Sequence, residues 1–313
     1  MKERRSQIRY SLLLCLVLLL PLSTSFAAVP TRVAVIYPDV SAPYSQVFEK
    51  IIEGIERHPG ITVVAHRLSN GDATQRADDW LSSQNATAII ALGQQSHKVA
   101  RDLKPDIPVI VGATLIAPNG LSGVSLAADP EAFFSRLGSL TPPVRRVFTV
   151  YNRKQSGWLI ERAAKLARKY DIELISKEAE SSREAVLQYN AVLDMVRDGE
   201  DALWLPLDQV APGKTILPSI LKQAWQKRLV VFSSNPSHTR KGTLFALFPD
   251  HRGLGLRLAE IVVDSIRNPN RGPVLEPLKA LKIAVNMRTA SHLGVNYNSR
   301  LREQISLTFP LRR

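Results

Sequence analysis

The sequence predicts an α/β protein made of two consecutive strand–helix sets, each organised around a mainly parallel sheet. Three observations carry this. Short β-branched runs alternate with amphipathic segments through nearly the whole chain. The alternation stops at Thr141-Pro142-Pro143 and then restarts. A second break, Asn268-Pro269-Asn270-Arg271-Gly272-Pro273, sets off a tail. Strands that are apolar throughout, rather than at every second residue, belong to sheets covered on both faces.

In the first set, Thr31–Tyr37 is a continuous β-branched run and reads as a buried strand. Tyr44–Arg57 carries Val47, Ile51, Ile52 and Ile55 at helical spacing. Ile61–His66, Ala86–Leu92 and Pro108–Gly112 read as strands. Asp72–Ser83 and the segment ending at Leu103 read as helices, and Leu121–Leu126 as a short extra strand. Asp129 is placed to cap a helix running to Leu140, since an acid suits the positive end of a helix. The second set repeats the scheme, with strands at Arg146–Tyr151, Ile172–Ser176, Ala202–Leu205, Leu229–Ser233 and Gly242–Phe248. Its helices fall at Gly157–Lys169, Ser182–Arg197, Ile216–Lys227 and His251–Ile266. The tail reads as a strand at Leu281–Asn286 and a short helix around Arg288–Leu293.

The N-terminus reads as an export leader. Lys2, Arg4, Arg5 and Arg9 form a basic head, Leu12–Leu20 an apolar run, and Ser25-Phe26-Ala27 a small-residue cleavage site, with cleavage expected after Ala27 or Ala28. The apolar run is about half of the roughly 20 residues that a membrane-spanning helix needs. Cys15, the one cysteine in the chain, lies inside that run and not at a lipid-attachment position, so no stable membrane anchor is expected. Without the leader, 286 residues remain, with no cysteine for a disulfide, a thiolate nucleophile or a cysteine metal site. The net charge is +13 for the whole chain; four cations and one acid leave with residues 1–27, so +10 remains, spread along the chain without a Lys/Arg-rich run. That spread gives solvated helix faces and no nucleic-acid footprint.

Catalytic and metal motifs fail on inspection. Pro212-Gly213-Lys214-Thr215 resembles the end of a phosphate-binding loop, but Asp208 occupies the place of its first glycine. Gly253-Leu254-Gly255 has Leu258 at the third glycine position of a dinucleotide fingerprint, so close helix packing explains it better. No pair among His58, His66, His97, His238, His251 and His292 has the i, i+4 spacing of a helical metal site. Asn85-Ala86-Thr87 fits a glycosylation sequon but leads into a strand expected to be buried. The reading is therefore of a protein with no catalytic residues, no metal and no cofactor. A hydrolase is the weaker alternative, because triads assemble in space and not in sequence.

The loops after the strands carry more. Tyr37–Tyr44, Gly93–Ser96, Ala113-Thr114, Asn152–Trp158, Pro206–Gln209 and Ser233–Pro236 are rich in hydroxyls, amides and helix-start N–H groups. In open α/β sheets ligands bind at the carboxyl ends of the strands, so these loops are placed on one cleft. They suit a small polar or carboxylate-bearing molecule.

Thr149-Val150-Tyr151-Asn152, Leu205-Pro206-Leu207-Asp208 and the tail Leu281–Gly294 (LKIAVNMRTASHLG) occur in an order that resembles the substrate-binding proteins of ABC transporters, of the type that takes up tryptophan or tyrosine. The resemblance spans about residues 31–305. It implies the type I periplasmic-binding fold: two Rossmann-like lobes linked by three crossings. The implied lobes are residues 28–143 with 249–272, and 144–248 with 273–313. It implies a monomeric solute-binding protein of the periplasm that takes an amino acid or similar molecule in the cleft by hinge closure. An inner-membrane ABC permease and its ATPase are the implied partners. A sensor or receptor partner of the same fold is the alternative. Residue by residue, Asp208 matches the acidic position that pairs with a ligand amino group. Gln94, Gln95, Ser96, Thr114, Asn152, Ser156, Ser234 and Asn235 are the expected polar contacts, and Tyr37 and Tyr44 the expected walls. The segment Arg153-Lys154-Gln155-Ser156 departs from the family pattern and adds two cations beside the cleft. On this reading, Asp208→Ala removes binding of an amine-bearing ligand and leaves melting near normal.

Overall fold

The computed structural model describes residues 31–69, 73–103 and 105–311. The leader and Cys15 lie outside the described residues. The first sheet is formed by β1 (Thr31–Pro38), β2 (Ile61–Leu68), β3 (Ala88–Leu92), β4 (Val109–Thr114), β5 (Ser122–Ala128) and, from far along the chain, β11 (Leu275–Leu278). Its order is β11-β5-β4-β3-β1-β2, and every pair is parallel. Its helices are α1 (Ser45–Glu56), α2 (Ala73–Gln84) and α3 (Gly93–Leu103). The chain then runs through α4 (Pro130–Leu140), β6 (Arg146–Tyr151), α5 (Arg153–Ala167), β7 (Glu173–Glu178) and α6 (Ser182–Met195). It continues with β8 (Asp201–Leu205), α7 (Leu217–Gln226), β9 (Val230–Ser233), α8 (Pro236–Lys241), β10 (Phe245–Pro249) and α9 (His251–Arg267). After β11 come β12 (Leu281–Asn286), α10 (Met287–His292), α11 (Ser299–Gln304) and β13 (Ile305–Phe309).

The second sheet has the order β13-β12-β10-β9-β8-β6-β7. Only the β10–β12 pair is antiparallel. Counted from its own first strand, each sheet begins with the doubly wound order 2-1-3-4-5. Each therefore has a topological switch point, between β1 and β3 and between β6 and β8, and ligands of such folds sit at these points.

The apolar runs explain the two-sided burial. In β1, Val33 and Val35 face α1 and α9, while Ala34 and Ile36 face the side of α2 and α3; all four are fully buried. The helix α9 returns to the first sheet because Leu254, Leu258 and Val262 fill its core. It approaches α1 so closely that a Cβ on Gly255 would collide with the Ile51 carbonyl oxygen. The Gly253-Leu254-Gly255 segment is thus a helix-packing contact and not a nucleotide loop.

Two boundaries differ from expectation. The helix α4, assigned to the first lobe when the division was placed at 143, packs on the second sheet. Its Phe133, Phe134, Leu137 and Leu140 share one core with Trp204, Phe232 and Phe245. The apolar face outweighs the Pro142-Pro143 signal, and the crossing falls earlier, at Ala128-Asp129-Pro130. Conversely, β11, assigned with residues 273–313 to the second lobe, hydrogen-bonds to β5 and closes the edge of the first sheet. The strand β13 extends the second sheet beyond the tail elements that the sequence suggested.

Three chain crossings thus join the lobes: β5 to α4, β10 to α9 and β11 to β12. They lie side by side. The Asp129 N–H donates to the Leu278 carbonyl at 2.9 Å and the Asp250 N–H to the Ala280 carbonyl at 2.9 Å. The buried Asp129 carboxylate caps α4 and accepts a two-pronged bond from Arg162 of α5 at 2.9 and 2.8 Å. No helix among the described residues is long and apolar enough to cross a membrane.

Candidate functional site

At the first switch point the chain turns from β3 directly into α3. Gly93 takes φ +84°, a left-handed conformation that costs glycine least, and so brings the N-terminus of α3 to the strand end. Beside it, Ala113 takes φ +55°, and the β4–β5 register shifts between Val111 and Thr114. This bulge carries Thr114, Leu115 and Ile116 over α3. Across the gap, α5 starts at the end of β6, capped by the Asn152 side chain, which accepts the Gln155 N–H at 3.2 Å. A cavity of about 900 Å³ lies between the two lobes, with Gln94, Gln95 and Thr114 on one wall and Gln155 on the other.

Of the residues expected from sequence, Gln94, Gln95 and Thr114 line this cavity. Ser96 is fully buried in α3 behind it, and its hydroxyl has no hydrogen-bond partner. Tyr37 is half-buried, packs on Phe48 at a ring separation of 5.9 Å and lies under the Arg67 guanidinium. Tyr44 is 69% exposed at the start of α1. Neither ring is part of the cavity wall.

Asp208, Asn152 and Ser156 come together and bond to one another. The Asp208 carboxylate accepts the Asn152 N–H at 3.1 Å, the Val210 N–H at 2.9 Å and the Ser156 hydroxyl. The Asn152 amide donates to the Ala179 carbonyl at 3.2 Å while its oxygen caps α5. Ser156 and Asn152 are both buried. The three side chains therefore form a clamp that joins the β6–α5 turn to the loop after β8. The clamp reaches the cavity through Gln155, whose side-chain oxygen accepts the Gln209 N–H at 2.8 Å.

The loop after β9 is likewise engaged within the protein. The Ser234 N–H donates to the Leu205 carbonyl, and Asn235 caps α8 by accepting the Ser237 N–H at 2.9 Å. The Ser233 hydroxyl lies 2.9 Å from Nδ1 of buried His238. Burial, with help from Lys241, lowers the His238 pKa to about 4. Above the unfolded value of 6.5 both states are neutral at this residue and its contribution is complete. Between 6.5 and 4 the unfolded chain takes up a proton that the folded chain refuses, so stability falls as pH falls. The loss should be on the order of 2 kcal/mol by pH 5. Urea midpoints at pH 7.5 and 5 should show this drop in the wild type and a smaller one in His238→Gln; equal drops would rule out His238 as its source.

Sequence reading missed the residues that set the charge of the cavity. His97, Lys98 and Arg101 also line it. They lie three, four and seven residues beyond Gln94, on the face of α3 that a helical period assigns to the same side. That spacing was the available signal. Nε2 of His97 is buried without a partner, and burial, with Arg101 nearby, lowers the His97 pKa. The two cations of the departing segment do not contribute: Arg153 is exposed and paired with Glu178, and neither Arg153 nor Lys154 lines the cavity. Among the described residues no group of three or more His, Cys, Asp or Glu is arranged to hold a metal ion.

Comparison with known proteins agrees with the architecture. A family model described as ABC transporter substrate binding protein matches residues 79–306. No curated protein matches the sequence. Among solved structures, a ligand-free, open substrate-binding protein with adhesive properties from Clostridium difficile superposes with a TM-score of 0.60 at 16% identity, over 90% of this chain and 100% of that one. A Streptococcus pneumonia ABC domain in complex with L-Trp gives 0.51 at 16% identity, over 90% and 100%. A conserved domain protein from Vibrio cholerae gives 0.51 at 17% identity, over 89% and 99%. At these identities the likeness establishes the fold, the type I periplasmic-binding architecture.

Proposed function

The chain belongs to the family of ABC transporter substrate-binding proteins, and on that premise we propose that it is the solute-binding component of an importer, working in the periplasm as a monomer. It captures a small polar molecule between its lobes and presents the closed form to an inner-membrane permease and its ATPase. The observation that carries this reading is the cavity whose walls come from both lobes, Gln94, Gln95 and Thr114 on one side and Gln155 on the other. A ligand that bridges such walls binds the closed arrangement better than the open one, and that difference in affinity is what drives closing. The three adjacent crossings supply a line about which the lobes can turn. The cavity is lined by amides, a hydroxyl, a helix N-terminus and the cations Lys98 and Arg101, groups suited to reversible binding.

The test is a thermal-shift screen of the purified protein, residues 28–313, followed by small-angle X-ray scattering with any hit. A micromolar ligand at millimolar concentration should stabilise the protein by about 4 kcal/mol. The radius of gyration should fall on binding. A hit that is turned over, or that leaves the radius unchanged, would contradict the reading.

A further inference from the structure

We infer that the ligand is a small organic anion without an ammonium group, a carboxylate or a phosphonate, rather than an amino acid. This rests on the solute-binding reading and narrows it. Lys98 and Arg101 bring two positive charges to the cavity wall, and no Asp or Glu is among the residues lining it. Lys98 makes no ion pair with a described residue, and Arg101 only a loose one with its neighbour Asp102, at 3.7 Å in solvent. The N-terminus of α3, at Gln94 and Gln95, adds the positive end of an eleven-residue helix.

The carboxylate that the family resemblance assigns to a ligand ammonium is not available in the same way. Asp208 already accepts from Asn152, Ser156 and Val210 and is not part of the cavity wall. An ammonium group placed in the cavity would face Lys98 and Arg101 with no acidic side chain in the wall itself. The same wall that attracts an anion thus disfavours a zwitterion, which is how a site discriminates by repulsion as well as by attraction.

Matched pairs test this directly, each amino acid against the same acid lacking its amino group: L-phenylalanine and 3-phenylpropanoate, L-tryptophan and indole-3-propanoate, L-glutamate and glutarate, L-alanine and propanoate, with methylphosphonate, D-ribose and D-glucose beside them. Melting shifts are read for the wild type, and isothermal titration is run on the hits with Lys98→Gln and Arg101→Gln. The expected result is a shift with at least one deaminated acid or with the phosphonate, at least tenfold weaker binding of any matching amino acid, and about tenfold weaker binding by each variant at unchanged unliganded melting. Preference for the amino acid or a neutral sugar, or variants that bind as the wild type does, would overturn the anion assignment while leaving the solute-binding reading intact. No shift with any compound would count against both.

Discussion

Asp208→Ala is expected to lower the melting temperature by about 6–12 °C. The carboxylate is the shared acceptor of two backbone N–H groups and one hydroxyl. Removing it leaves these donors without their partner, at roughly 1 kcal/mol each, about 3 kcal/mol together. For a chain of this size each kcal/mol moves the midpoint by about 2–4 °C. Asp208→Asn keeps one carbonyl acceptor and should fall between the two. Ser156→Ala, which removes one donor together with its need, should cost about 1 kcal/mol. Differential scanning calorimetry of the three variants checks the order. A normal melting curve for Asp208→Ala would mean that the carboxylate serves a ligand and not the clamp, as the sequence alone suggested.

Phe133→Ala should cost more, about 4 kcal/mol, the range for deleting a fully buried aromatic ring. The ring is completely buried between the second-lobe aromatics, with centroids 5.5 Å from Trp204, 5.4 Å from Phe232 and 6.3 Å from Phe245. The melting temperature should fall by about 8–16 °C. Because Trp204 is among the neighbours, its near-ultraviolet circular dichroism should change in the folded variant as well. An unchanged Trp204 signal would place α4 away from the second sheet.

The alternation of strands and helices was legible because buried parallel strands must be apolar throughout and helices must not be. The runs at Thr31–Tyr37 and Arg146–Tyr151 each became an interior strand of its sheet, second from the edge. Where each piece docks was less legible. The Pro142-Pro143 pair looks like a boundary, but Phe133 and Phe134 decide the matter ten residues earlier, and nothing local says which sheet an apolar face will meet. The strand β11, Leu275–Leu278, is four residues long and contains a proline, so its pattern is too short to identify. At the candidate site, Gln94, Gln95 and Thr114 were expected from their positions after strands, and they line the cavity. Lys98 and Arg101 were passed over because charges on a helix are ordinarily solvated. Asn152 and Asp208 were each singled out, but not as partners of one another. Their mutual bond spans 56 residues and appears only when β6 and β8, separated in sequence by β7, are placed side by side.

The interleaved crossings have a consequence for how the chain comes to be folded. The first sheet is completed only when residues 275–278 pair with β5, about 150 residues earlier in the chain, and its core also needs α9. Neither lobe is a continuous stretch of polypeptide. A chain emerging N-terminus first, from a ribosome or through an export channel, must therefore hold five strands with an unfinished edge and an uncovered face until almost its full length has appeared. Cutting at residue 143 should give no folded half-protein, and a chaperone that shields apolar strands has its longest task here, on the lobe that is made first.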